Sequence, residues 1–377
     1  MKFAIITHVQ HIQKEDSYFG YAPYIREMNI WLKHVDGVLI VAPVVNKRLE
    51  PIHEAYIHES LSFRRVDEFD IKSIKNIVHA FFKLPKIVVT IYKAMAQADH
   101  IHLRCPGNMG LIGAFVQLLF PNKQKTAKYA GNWDPNAKQP FTYKLQRWIL
   151  SNTFLTRNMQ VLVYGEWPNQ TKNNVSFFTA TYSEADKVPL PSRTFAGIID
   201  FLFVGTLSKG KQPLYAIQLV QQLHQKGKNV RLTLYGDGVL KTTLEAYINE
   251  ANLQNIVFLK GNQSKEAVVK AYQSSHFLLL PSKSEGWPKV VAEAMFWACV
   301  PLVTPVSCVS YMLGNETRGI LLKEQLEADV SKVMSLLNDE LLYQKMALEG
   351  QNWSRQFTTD KFEIEIKKLL QNRFNHY

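Results

Sequence analysis

Cysteine is scarce: Cys105, Cys299 and Cys308 are the only three in 377 residues. Three scattered thiols exclude a disulfide framework and a cysteine-based zinc site. Nothing then requires an oxidising compartment, and the expected location is the cytoplasm. Long apolar runs are missing as well. The longest, such as Gly110 to Phe120, fall short of the roughly 20 residues that a bilayer span needs. The opening Met1-Lys2-Phe3-Ala4-Ile5-Ile6-Thr7 is apolar only briefly before His8, His11 and Lys14. It is too short for a signal peptide and reads as a first core strand. Repeats, low-complexity tracts, a P-loop, a serine-hydrolase elbow and a His-Glu-x-x-His motif are all absent. No metal site is expected.

What is present is an ordered globular composition, with 46% hydrophobic, 12% aromatic and 20% charged residues. That excludes disorder and collagen-like readings. The length suggests two domains. The net charge is +12, and most of it is N-terminal: 23 basic against 15 acidic residues precede position 190, and 21 against 17 follow. A basic surface favours an anionic substrate, an anionic membrane or a nucleic acid, and charge by itself chooses none of them. No nucleic-acid motif accompanies it, so a nucleic-acid partner is not expected.

Short Val/Ile/Leu-rich runs alternate with helix-period segments. The strand-like runs are 2–7, 37–42, 99–104, 126–130 and 160–164 in the first half. In the second they are 199–205, 229–235, 255–259, 277–281, 300–304 and 319–322. Strand–helix alternation of this kind predicts parallel sheets covered on both faces. Two such series predict an α/β protein of two Rossmann-like doubly wound domains facing across a cleft. The expected division is 1–188, 189–357 and a C-terminal helix, 358–377, packing back toward the first domain. The linker is placed at Lys187-Val188-Pro189-Leu190-Pro191-Ser192-Arg193, where two prolines fit an extended segment. Ligands of open parallel sheets bind outside the carboxyl ends of the strands.

The most informative stretch runs from Phe277 to Met295. A buried strand ends at Pro281-Ser282, a loop carries Glu285-Gly286-Trp287, and Pro288 suits the first position of a helix. Gly286 permits close backbone approach. The amides near Lys289 and Val290 would form an anion site at the helix start. Glu285 sits in the loop and Glu293 inside the helix, so the two carboxylates address different parts of one ligand. Either glutamate alone would read as a solvated face residue. In the preceding strand–loop–helix, Val204-Gly205-Thr206-Leu207-Ser208-Lys209-Gly210-Lys211, a glycine turn and two lysines precede a helix.

The first of these stretches resembles the Glu-x7-Glu motif of family 4 of the retaining glycosyltransferases (glycosyl transferases group 1), which have the GT-B fold. The resemblance implies that Glu285 contacts donor-sugar hydroxyls and Glu293 the ribose of a nucleotide. It implies that Lys209 holds the donor diphosphate, with Lys211 the alternative, because Thr206 stands where the family usually has an arginine. Gly236 of Gly236-Asp237-Gly238 matches a family turn, and Gly261-Asn262 follows a strand whose loop borders the base. Gly205, Gly286, Trp287, Lys289 and Val290 complete the donor side. In the first half the match is weaker. Gly20 stands at the position of a glycine-rich phosphate loop. Asn132 or Asp134 stands in for a histidine near the reaction centre, or else forms a polar turn. Arg104 points into the cleft or forms a salt bridge.

The function so implied is sugar transfer from a nucleoside-diphosphate sugar to a saccharide or lipid-linked acceptor with retention, in cell-surface polysaccharide assembly. No cofactor beyond the donor is required. The alternative is a catalytically weak nucleotide-sugar-binding protein of the same fold. Residues 71–97 carry lysines at 72, 75, 83, 86 and 93 with Phe81, Phe82 and Tyr92 interleaved and no acid. Such a segment can lie on an anionic membrane, which would make the protein peripheral on the inner membrane face, or present an ordinary solvated basic face.

Overall fold

A computed structural model describes residues 1–50, 52–68 and 74–371, with side chains of the helix that begins at Ile74 described from position 82. Residues 71–73 of the basic segment, with Lys72, and positions 372–377 of the last segment lie outside the described residues. The chain divides into two compact units, Met1–Phe178 with Phe362 onward, and Thr179–Lys361. The division therefore falls at Phe178, ahead of the proline segment at 187–193, and again inside the last helix, Thr359–Gln371.

The first unit is built on a seven-stranded sheet. Its spatial order is Asn174–Phe177, Met159–Tyr164, Gln124–Tyr129, His100–Cys105, Lys2–Ile6, Gly37–Pro43 and Leu61–Val66. Every pairing in it is parallel. The helices Ile74–Gln97, Asn108–Val116 and Phe141–Ser151 cover one face. Ile87, Ile91, Met95, Met109, Ile112 and Ile149 meet Ile6, Leu103, Ala127 and Val161 there in one core. The last helix contributes Phe362, whose ring lies 5.4 Å from that of Phe177, and Glu363, which pairs with Lys33 and His34.

The second unit has six parallel strands in the order Val257–Leu259, Val230–Tyr235, Ile199–Val204, Phe277–Leu280, Val300–Val303 and Ile320–Leu321. Its two central strands are nearly continuous apolar sequence, Ile-Asp-Phe-Leu-Phe-Val and Phe-Leu-Leu-Leu, as strands covered on both faces require. The chain starts at Ile199–Val204, builds outward on one side, then returns to Phe277–Leu280 and builds on the other. The order reverses between these two neighbours. This places a topological switch point at their carboxyl ends, where doubly wound sheets bind ligands. Arg193, in the proline-rich segment, belongs to this unit. Its guanidinium donates to the carbonyls of Tyr272, Gln273 and Trp297, at the carboxyl ends of two helices. A cation there complements both helix dipoles.

One feature of the first unit departs from expectation. A small antiparallel sheet is formed by Ile12–Lys14 and Ser17–Tyr21, ahead of the first helix, Ala22–Leu32, and by His53–Ala55, which follows it in the chain. Gly20 lies inside its middle strand, not in a loop. A Cβ there would stand 2.9 Å from Ile25 Cδ1 and 3.3 Å from the His11 ring. Gly20 therefore packs closely against these side chains and stands in a strand where a loop was expected.

Candidate active site

At the switch point of the second unit two loops converge. The first follows Ile199–Val204 and carries Gly205 to Gln212. The second follows Phe277–Leu280 and carries Pro281 to Pro288. The Lys283 amide donates to the Gly210 carbonyl at 2.9 Å, and the Gln212 side chain donates to the Pro281 carbonyl at 2.7 Å. Lys211 Nζ forms an ion pair with Glu285 Oε1, in which the carboxylate is largely buried and the ammonium half-buried. Lys209 is exposed and is not the lysine on Glu285. Thr206 is exposed as well.

Each loop is braced from outside. The Leu207 amide donates to the Asp237 carbonyl, and the Gly205 amide to that of Tyr235. A Cβ on Gly236 would come within 1.9 Å of the Gly205 carbonyl oxygen, and one on Gly238 within 2.5 Å of that of Leu207. The Gly236-Asp237-Gly238 turn is thus a close-approach surface, and only glycine fits it. The Gly236 amide reaches on to the Gly261 carbonyl at 2.9 Å, which places Gly261 beside the turn, while Asn262 is exposed. The glutamate loop is held by its neighbour. Ser307 Oγ donates to the Gly286 carbonyl at 2.9 Å, and Thr304 Oγ1 donates to that of Ser282. Fixed loops of this kind lower the reorganisation a bound ligand requires.

Pro288 is the residue before the helix rather than its first member; the helix is Lys289–Phe296. The Lys289 and Val290 amides lie in its first turn, where the helix itself supplies no acceptors. Trp287 is buried against Trp353 and Phe357, with ring centroids 6.2 and 5.9 Å apart. It anchors the loop and would offer a ligand its backbone rather than its ring. Glu293 is half-buried. Its Oε1 accepts from Thr181 Oγ1 at 2.7 Å and its Oε2 from the Tyr272 hydroxyl at 3.2 Å. Burial, with the carboxylate beside them, raises the phenols of Tyr272 and Tyr182. Both therefore remain hydrogen-bond donors. Thr181, Tyr272 and Ser307 carry no motif and lie outside the Phe277–Met295 stretch, so their bracing role emerges only from the fold.

In the first unit Arg104 is the penultimate residue of the strand His100–Cys105, beside the corresponding reversal of strand order. Its Nη1 lies 3.8 Å from Glu27 Oε1 and its guanidinium 5.2 Å from the centre of the Tyr24 ring. Asn132 accepts from the Asp134 amide and Asp134 from that of Asn136, both at 2.8 Å. These are side-chain turns, the polar-turn alternative for the two residues.

Two Rossmann-like units, one with paired glutamate and lysine loops at its switch point, define the GT-B class of α/β fold. Residues 193–353 match the family described as glycosyl transferases group 1. An uncharacterized glycosyltransferase of Methanocaldococcus jannaschii is 26% identical over 171 residues, 45% of this chain and 47% of that protein. The chain thus spans about half the length of that relative. Protein CapJ of Staphylococcus aureus is 22% identical across 98% of this chain and 95% of its own. Among solved structures, Anabaena HepE in complex with UDP and glucose superposes with a TM-score of 0.68 at 13% identity, covering 99% of this chain and 100% of that one. The family match over residues 193–353 and the name of the Methanocaldococcus jannaschii relative point to a glycosyltransferase domain, and the superposition establishes the shared fold.

Proposed function

We propose that the chain transfers a sugar from a nucleoside-diphosphate sugar to a saccharide or lipid-linked acceptor, with retention of anomeric configuration, in cell-surface polysaccharide assembly. The observation that carries this reading is the convergence of the Lys211 and Glu285 loops at the switch point of the second unit. The diphosphate is held by Lys209 and the amides of Lys289 and Val290, which need no rearrangement as charge develops on the leaving group. Lys211 holds Glu285 against the donor sugar. Glu293 keeps Thr181 and Tyr272 as partners and uses its remaining lone pairs for ribose hydroxyls. Gly205, Thr206, Gly236, Gly261, Asn262 and Gly286 line the nucleotide path through their backbones. Arg104, with Asn132 and Asp134, serves the acceptor, and an anionic membrane surface meets the basic helix Ile74–Gln97.

A screen of nucleotide sugars by thermal shift tests the reading. A ligand selective for the folded state at about 100 times its Kd adds about 2.7 kcal/mol. Stabilisation by at least one nucleoside-diphosphate sugar, and by the matching free nucleotide, is expected. The absence of any shift across the bases and common sugars would count against it.

A further inference from the structure

Among the described residues seven aromatic rings stand exposed, all in the first unit, and six of them lie between Phe82 and Phe154. They are not scattered. The helices Ile74–Gln97, Asn108–Val116 and Phe141–Ser151 share one core beneath them and pack in sequence order, the first on the second and the second on the third. Their opposite faces point outward. The first presents Phe82, Lys86, Val89 and Lys93 at helical spacing. The second presents Phe115, and Leu119 in the turn that follows it. The third presents Phe141, Lys144 and Trp148, with exposures of 77% for the first ring and 60% for the last. Just beyond it Phe154 is 70% exposed, with the Arg157 guanidinium 4.7 Å above its ring.

The charge over this stretch is one-sided. Residues 82–157 hold eleven lysines and arginines against two acids, Asp99 and Asp134; Lys86, Lys93, Lys138, Lys144 and Arg157 are the exposed cations, whereas Lys125 and Lys128 are buried and Arg104 pairs with Glu27. Asp99 is bound to the Lys2 amide, and Asp134 to the Asn136 amide. Aromatic rings and cations on one helical face match the interface of an anionic bilayer, where rings enter the headgroup region and each cation adds attraction to acidic lipid. An acidic protein partner would favour salt bridges, but it would not select six projecting rings.

We propose that these three helices and the 152–157 turn form one composite docking face for an anionic lipid surface, centred on Trp148 and Phe154 as well as on the first helix. The proposal takes the chemistry of its partner from the membrane reading of Ile74–Gln97 and extends the contact to elements outside that helix. It does not depend on sugar transfer.

The test is co-sedimentation of the full chain with phosphatidylcholine vesicles, with and without phosphatidylglycerol. Two variant sets are compared: Lys86→Gln with Lys93→Gln, and Lys144→Gln with Trp148→Ser and Phe154→Ser. All five positions are exposed, and unchanged thermal melting confirms folding. The wild type is expected to sediment only with acidic vesicles. Each set should weaken binding by about tenfold or more, and salt raised to about 0.5 M should release the protein. Brominated lipid should quench the wild type more than Trp148→Phe. Loss confined to the first set would leave the single-helix reading standing and overturn the composite face. Sedimentation with neither vesicle, or equally with both, would overturn both readings. Tight binding to single-stranded RNA that the same variants abolish, without vesicle binding, would assign the face to nucleic acid instead.

Discussion

At the scale of single residues, the two lysines of the first loop have different surroundings. Lys211 is committed to Glu285, and Lys209 is exposed beside it. Lys209→Ala is expected to lower turnover by about 10²–10³-fold, the cost of removing one charge-stabilising donor. Steady-state kinetics on purified protein decide the matter, and an unchanged kcat would transfer the phosphate role to Lys211. Glu293→Ala should mainly weaken nucleotide binding in calorimetry, while Glu285→Ala should lower kcat with nucleotide affinity kept. Among the cysteines, Cys308 donates its thiol to the Gly286 carbonyl of the glutamate loop at 3.3 Å. All three are buried, and burial pushes the thiols of Cys105 and Cys299 up to about 12. Gly236→Ala places a methyl group against the Gly205 carbonyl. It should destabilise by about 1–3 kcal/mol or more in urea unfolding and weaken nucleotide binding with it.

At the scale of elements, Arg193 joins two helix ends to the segment that enters the second unit. Arg193→Ala leaves those carbonyls without a cation. A loss of about 1–3 kcal/mol is expected, read as a lower unfolding midpoint. The elements also show what was legible in the sequence. The central strands were, because strands buried on both faces must be apolar. Two strands of the large sheet were not, Leu61–Val66 and Asn174–Phe177, and both are its edges. Edge strands tolerate polar residues, and Leu61–Val66 carries Arg64 and Arg65. The Ser17–Tyr21 strand escaped because Gly20 reads as a loop residue, whereas its task is to admit Ile25 and the His11 ring. At the candidate site, Glu285, Gly286 and Glu293 stand out through the resemblance of their stretch to the Glu-x7-Glu motif. Their supports, Thr181, Tyr272 and Ser307, do not, since side chains that only hold other side chains leave no local pattern.

At the scale of the whole molecule, stability depends on histidines buried without charge. Burial holds His11 down to about 4 and His100 down to about 3. An unfolded chain protonates these rings near their ordinary value of about 6.5. Below that value the unfolded state binds more protons, so stability is full above it. It falls as pH drops toward 4, by about 1.4 kcal/mol per pH unit for each ring. Urea midpoints measured between pH 7 and pH 4.5 should decline accordingly. A flat profile would show that the rings are solvated in the folded chain. The second unit gathers a lysine pair, two glutamates and a helix start at one reversal of strand order, the arrangement from which the proposed donor site is drawn. A crystal structure with a nucleoside diphosphate at saturating concentration tests that site most directly. The account predicts phosphate oxygens within hydrogen-bond reach of the Lys289 and Val290 amides and of Lys209, with the ribose on Glu293. A diphosphate bound elsewhere, or an empty switch point under those conditions, would contradict it.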